Sequence, residues 1–120
     1  IEGLRIPKYV NHEWNHSLEV PIGNDETVTV GITDHAAMRM TQRRISKEAL
    51  AVVLRYGRQV HAQNAIVYFF GKNEFKRHLS LGQHAGRWEK FRDIHVIVSA
   101  ENNAVITCYK NSKISIKAEF

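Results

Sequence analysis

The chain has 120 residues, enough for one compact domain, and 43% are apolar, so a core can form without covalent staples. A single cysteine, Cys108, excludes an intramolecular disulfide, and no apolar run approaches the ~20 residues that span a bilayer. Net charge is +5 but unevenly spread: residues 1–31 hold two cations against five acids, a net of −3, which leaves +8 for the rest, and a basic body suits an anionic partner such as nucleic acid.

Residues 1–10 carry charges throughout and show no apolar segment of the kind a secretory signal needs; the expected compartment is the cytoplasm, with which a single cysteine is compatible. Leu18–Ile22 and Thr27–Ile32 are both β-rich, and Gly23-Asn24-Asp25 between them reads as a hairpin loop. Pro21 predicts an edge for the first of these strands. Asp34 or Thr33 is a suitable N-cap for a helix running to about Arg44. Ser46 caps a second helix, Lys47–Tyr56, with Leu50, Val53 and Leu54 at helical spacing. Gly57 is expected to stop it in the left-handed conformation.

After Gly57 the period changes. Ala65–Phe70 is β-branched and aromatic, a buried strand. Lys72–Lys90 is basic and punctuated by Gly82 and Gly86, which predicts a short helix and a loop. Ile94–Val98 is a strand, Glu101-Asn102-Asn103 a turn, Ala104–Lys110 another strand, and Asn111-Ser112 turns into a last strand, Ile114–Ala118. Strands in series with short turns pair antiparallel. The expected fold class is therefore α+β: two N-terminal helices packed on an antiparallel sheet of about four strands, preceded by a β-hairpin leader. Residues 1–120 are read as one domain with an accessory leader at 1–31.

Four groups of residues bear chemistry. On a helix, His35, Arg39 and Arg43 follow one another at i, i+4 steps and share an arc with Gln42, while Ala37, Met38, Thr41 and Ile45 are expected to form the apolar stripe. Two fixed cations and a group that titrates near neutrality suit a phosphate; a solvated helix face gives the same spacing. On the strand Ala104–Lys110, alternation puts Thr107 and Tyr109 on one side and Cys108 on the other. If the Thr107/Tyr109 side is turned to the helix, their hydroxyls meet His35; otherwise they are simply good strand formers.

His12-Glu13-Trp14-Asn15-His16 matches the H-E-x-x-H pattern of zinc peptidases. Pro7 and Pro21 bracket any helix there and no third ligand follows at a useful spacing, so no metal and no cofactor is expected. His61, His78, His84 and His95 are scattered, without a partner at ligand spacing. Finally, Lys72, Lys76, Arg77 and Arg87, interleaved with Phe75, Trp88 and Phe91, suit a single strand of RNA whose bases stack and whose phosphates pair; an amphipathic helix with a basic outer face is the plainer explanation.

Taken in order, His35-Ala36-x-x-Arg39-Met40-x-x-Arg43-x-Ile45, Val53-Leu54-Arg55-Tyr56-Gly57, Tyr68-Phe69-Phe70-Gly71-Lys72, Ile94–Ser99 and Val105-Ile106-Thr107 resemble a widespread bacterial domain of unknown function, over about Thr33 to Lys117. That domain looks related to the RelE-like and barnase–colicin–EndoU-like group, which contains metal-independent ribonuclease toxins. The resemblance implies a RelE-like core at 33–117, carries over His35, Arg39, Arg43 and Thr107, and implies RNA as substrate and an antitoxin or immunity protein as partner. The chain departs from the pattern at Cys108-Tyr109-Lys110, where relatives carry a Gly-His-Arg-like stretch. The expected activity is RNA cleavage by attack of the ribose 2′-OH on phosphate, with His35 as acid or base, Arg39 and Arg43 on the phosphate, Thr107 orienting an oxygen, and Tyr109 or Lys110 at the leaving oxygen. The alternative is a non-catalytic RNA- or protein-binding module on the same scaffold.

Overall fold

The computed structural model describes residues 15–21, 25–79 and 91–111. Strands β1 (His16–Pro21) and β2 (Thr27–Ile32) form the expected antiparallel hairpin, which sets Leu18 opposite Val30 and Val20 opposite Val28, all four buried. Helix α1 (Asp34–Arg43) follows at once. Thr33, not Asp34, is its N-cap, with φ −65° and ψ 159°, and its hydroxyl accepts from the Ala36 amide at 3.1 Å. Asp34 becomes an acidic residue of the first turn, where the helix dipole favours it. Arg44 closes α1 in the left-handed conformation, φ 56°, donating its amide back to Met40 and Thr41 carbonyls.

Helix α2 (Lys47–Tyr56) is capped by the Ser46 hydroxyl, which accepts from the Ala49 amide at 3.1 Å. It buries Ala49, Leu50, Val53 and Leu54. Gly57 ends it, but in extended rather than left-handed backbone, φ −70° and ψ 157°. The requirement for glycine there is closeness: a Cβ would stand 2.4 Å from the Val53 carbonyl oxygen and 3.0 Å from that of Phe69.

Strand β3 (Arg58–Ala62) comes next, and the sequence reading had no strand there. It pairs antiparallel with β4 (Ala65–Phe70) through a tight turn in which Asn64 takes φ 61°, a conformation asparagine tolerates. Helix α3 (Lys72–Leu79) leads on, and β5 (Ile94–Ser99) and β6 (Ala104–Lys110) complete the described chain. The expected strand Ile114–Ala118 lies outside the described residues.

The result is a mixed α+β fold with one six-stranded sheet in the order β1-β2-β6-β5-β4-β3 and three described helices. Two expectations need correction. The sheet has six strands instead of about four, and it is not wholly antiparallel: β2 joins β6 in parallel, Gly31 beside Ala104 and Ile32 beside Val105. The leader hairpin is thereby two strands of the sheet itself, because pairing of β2 with β6 extends the hydrogen-bonded ladder across segments far apart in sequence. The core gathers on one sheet face: Val20, Val30, Ile32, Tyr68, Phe70, Ile94, Val96, Val98, Val105 and Cys108 cluster with Ala36, Leu50, Val53 and Leu54 of the helices. At 25 cal/mol per Å² such side chains each contribute on the order of 2 kcal/mol of burial.

A β-bulge adjusts β6 to this core. Thr107 lies opposite Ile97, but Val105 lies opposite Val98, so Ile106 is one residue too many for the ladder. The extra residue lets Val105 and Cys108, three apart, both point into the core, while Ile106 is left 39% exposed.

Candidate functional site

The N-terminus of α1 is fastened to the bulge. The Thr33 amide donates to the Val105 carbonyl at 3.1 Å, and the Thr33 hydroxyl is shared between the carbonyls of Val105 at 3.0 Å and Ile106 at 3.2 Å. The hydroxyl that caps the helix therefore also anchors it beside Thr107. One helical step on, His35 is exposed. Its Nε2 accepts from Arg39 Nε at 3.5 Å, a long bond, and Arg39 Nη1 donates to Gln42 Oε1 at 3.1 Å. Arg43 is exposed one turn further along.

The apolar side of α1 differs from the expectation. Ala36 is fully buried, with Ala37 and Met40 packed against the core, whereas Met38 is 47% exposed and Thr41 is also exposed. The helix is turned so that Ala36, which interrupts the cationic arc, meets the sheet, and this brings Arg43 towards the sheet as well. The Arg43 charge opposes the effect of burial on Cys108, whose thiol is nonetheless pushed up to about 11. Cys108 is thus a protonated core residue and no nucleophile.

Strand β6 sorts the remaining candidates by face. Cys108 and Lys110 lie opposite Val96 and Ile94, on the core side, with Lys110 exposed at the strand end. Thr107 and Tyr109 lie opposite Ile97 and His95, on the other side, and both are half-buried. Tyr109 and Lys110 are consequently not interchangeable, since they leave the sheet in opposite directions. The expected meeting with His35 is corrected: α1 buries Ala36 on the core side of the sheet, whereas Thr107 and Tyr109 leave the other side, and among the described residues no hydrogen bond joins His35 to either; what connects helix and strand is the Thr33 anchor.

His95, which sequence reading set aside as scattered, is the most unusual polar group here. It is fully buried on the face opposite the core, between Phe69 of β4 and Tyr109 of β6. Its ring centroid is 4.7 Å from that of Phe69, tilted, and 4.8 Å from that of Tyr109, stacked within 11°. Nδ1 is 3.1 Å from the Asp93 carbonyl oxygen, and Nε2 has no hydrogen-bond partner. A carbonyl can only accept, so Nδ1 carries the proton and Nε2 is bare. Burial lowers the pKa of this imidazole, against the opposing pull of the Asp93 carbonyl and carboxylate. The available signal was its position: a histidine flanked by β-branched residues within a strand is more often packed than solvated.

The basic segment is divided. Lys72, Lys76 and Arg77 are exposed on α3, near Arg58, whose Nε is 3.9 Å from the buried Glu74 carboxylate. Glu74 Oε1 in turn accepts the Gly71 amide at 2.9 Å, closing the first turn of α3. Phe75 and Phe91 are not available to stack on bases, because both pack edge-on against Phe70 at 6.3 Å in the core. Arg87 and Trp88 lie outside the described residues.

No group of three His, Cys, Asp or Glu side chains comes together to hold a metal among the described residues. His16 opens strand β1, so it does not sit on the helix that an H-E-x-x-H site needs, and His12 and Glu13 lie outside the described residues. No described helix is long and apolar enough to cross a membrane. An open cavity of about 230 Å³ lies between β1 and α1, lined by His16, Ile32, Met40, Thr41, Ile45 and Lys47.

Comparison with known proteins yields one match. Residues 32–110 match the family described as Domain of unknown function (DUF4258), and the chain belongs to that family. No curated protein and no solved structure matches it.

Proposed function

We propose that this DUF4258 chain is an endoribonuclease that cleaves RNA by internal phosphoryl transfer, using side chains and no metal. The observation that carries the reading is the Thr33 anchor, which fastens the helix turn bearing His35 and Arg39 to the strand bearing Thr107. In the proposed reaction the ribose 2′ oxygen forms a bond to the adjacent phosphorus and its proton passes to a base. The phosphorus–5′ oxygen bond then breaks, an acid protonates the departing oxygen, and a 2′,3′-cyclic phosphate remains. His35, which is exposed, takes the first proton. Arg39 and Arg43 neutralise charge building on the phosphate, and Thr107 orients one of its oxygens. Tyr109, on the Thr107 face, or Lys110, on the core side where α1 buries Ala36, serves at the leaving oxygen. Lys72, Lys76 and Arg77 run along the RNA backbone. An antitoxin or immunity protein as partner and the cytoplasm as place of action belong to the same reading.

A non-catalytic RNA- or protein-binding module is the second reading, favoured by the lack of a hydrogen bond between His35 and Thr107 or Tyr109 among the described residues. One assay separates the two. Labelled RNA is incubated with the protein, with and without chelator, beside His35→Ala and Arg39→Ala. Cleavage that survives chelator and is lost in His35→Ala supports the nuclease. RNA that is retarded in a gel but intact assigns the module instead, and loss of cleavage in chelator assigns metal-dependent chemistry.

A further inference from the structure

We infer that His95 is the positioning residue for Tyr109: it acts as an oriented platform that holds the phenol ring, and through it the hydroxyl, on the Thr107 face of the sheet. The inference rests on the proposed function in so far as Tyr109 serves the reaction there, but its geometry stands independently. Three strands place the rings in one row, with Phe69, His95 and Tyr109 as direct cross-strand neighbours. Both faces of the imidazole are occupied, one by Phe69 and the other by Tyr109. The near-parallel stack on Tyr109 leaves the phenol little freedom to rotate about its Cα–Cβ bond without losing the contact.

A phenylalanine would also stack, so the choice of histidine needs a reason. The reason offered by the structure is the bond from Nδ1 to the Asp93 carbonyl. It fixes the rotation of the imidazole about its own χ2, which nothing would do for a phenyl ring. Asp93 itself is held: its backbone takes φ 58°, its amide donates to the Phe70 carbonyl, and its carboxylate receives Arg92 Nε at 3.2 Å. A chain of fixed groups therefore runs from the β5 turn to the Tyr109 hydroxyl. A buried Nε2 without a partner is a cost that packing alone would have removed by substituting an apolar ring. The hydroxyl of Thr107, two residues along the same strand face, shares the surface on which Tyr109 is fixed.

The test uses the full chain and the variants His95→Leu, His95→Phe, Tyr109→Phe and the double variant of His95→Leu with Tyr109→Phe. Two-dimensional NMR reads the Tyr109 ring protons. A stacked ring shifts them upfield, and the shift is expected in the wild type, reduced but present in His95→Phe, and lost in His95→Leu. Steady-state cleavage of a short RNA reads the consequence. His95→Leu is expected to lower kcat about tenfold with KM changed less than twofold, with His95→Phe within threefold of the wild type. In the Tyr109→Phe background, His95→Leu is expected to cost nothing further, since it acts only through the missing hydroxyl. A full additional loss in that background, or a Tyr109 spectrum unchanged by His95→Leu, overturns the inference. If no variant and no wild-type protein cleaves RNA, the nuclease reading falls, while the Tyr109 shifts still decide whether His95 holds the ring. Should His95→Leu fail to fold, a His95→Phe spectrum identical to that of the wild type refutes the role given to the Asp93 bond.

Discussion

Replacing Thr33 by valine probes the anchor on which the candidate site depends. Valine keeps the shape but removes a hydroxyl that caps α1 through the Ala36 amide and also donates to the carbonyls of Val105 and Ile106. Loss of an N-cap costs about 1 kcal/mol. Loss of the donated bond costs about a further 1 kcal/mol; the Val105 carbonyl keeps the Thr33 amide as a donor. The sum is about 2 kcal/mol, which for a domain of this size lowers Tm by roughly 8 °C. Urea and thermal unfolding followed by circular dichroism, comparing wild type, Thr33→Val and Thr33→Ser, measure it directly. Serine keeps the hydroxyl and should stay within about 0.5 kcal/mol of the wild type. A valine variant as stable as the serine one would mean that the anchor contributes nothing, and with it would go the argument that α1 and β6 are held as a unit.

Three other outcomes are expected. Acidification weakens the fold through His95: the folded pKa lies below the ordinary imidazole value of 6.5, so the unfolded chain binds the proton more readily. The stability this group contributes is present above pH 6.5 and is lost as pH falls below it towards the lowered folded value; urea titrations across that range should show a loss that His95→Phe lacks. Gly57→Ala should destabilise by about 2 kcal/mol in the same measurement, because a Cβ cannot be accommodated between the Val53 and Phe69 carbonyls without moving backbone; an unchanged midpoint would show that the α2–β3 corner is loose. Lys76→Ala combined with Arg77→Ala should reduce the steepness of the fall of RNA affinity with salt by about 1.4 in the log–log slope, at ~0.7 per phosphate contact on a single strand, and an unaltered slope would remove α3 from the RNA path.

What the sequence disclosed was the part of the fold written in local chemistry. Ser46 and Thr33 or Asp34 marked helix starts because a cap is a contact three residues long. The apolar run Ala65–Phe70 and the hairpin about Gly23–Asp25 were legible for the same reason. Strand β3 was not, because Arg58-Gln59-Val60-His61-Ala62 is polar and lies at the sheet edge, where solvent rather than burial pattern shapes composition. The parallel pairing of β2 with β6 was illegible in principle: nothing near Gly31 specifies Ala104. The helical wheel of α1 misassigned Met38 and overlooked Ala36, since an alanine contacting a sheet carries no hydrophobic signature to distinguish it from one facing water. For the candidate site, spacing put His35, Arg39 and Gln42 on one arc, and their side chains do touch. The stacking role given to Phe75 and Phe91 failed because a basic neighbourhood says nothing about which way an aromatic ring points. His95 escaped attention because its neighbours Phe69 and Tyr109 come from two other strands.

The seam between β2 and β6 has a kinetic meaning. Each other strand pairing in the sheet joins strands consecutive along the chain, whereas the Thr33 bonds that continue the seam close a span of 72 residues. Ordering so long a segment before it is rewarded is entropically slow, so the local hairpins are expected to assemble first and the seam to close last. Damage at Gly31, Thr33 or Val105 should accordingly leave the refolding rate almost untouched and show itself as faster unfolding. The lifetime of the native state, more than the ease of reaching it, is expected to depend on this seam, where two strands far apart in the chain are sewn together inside the sheet.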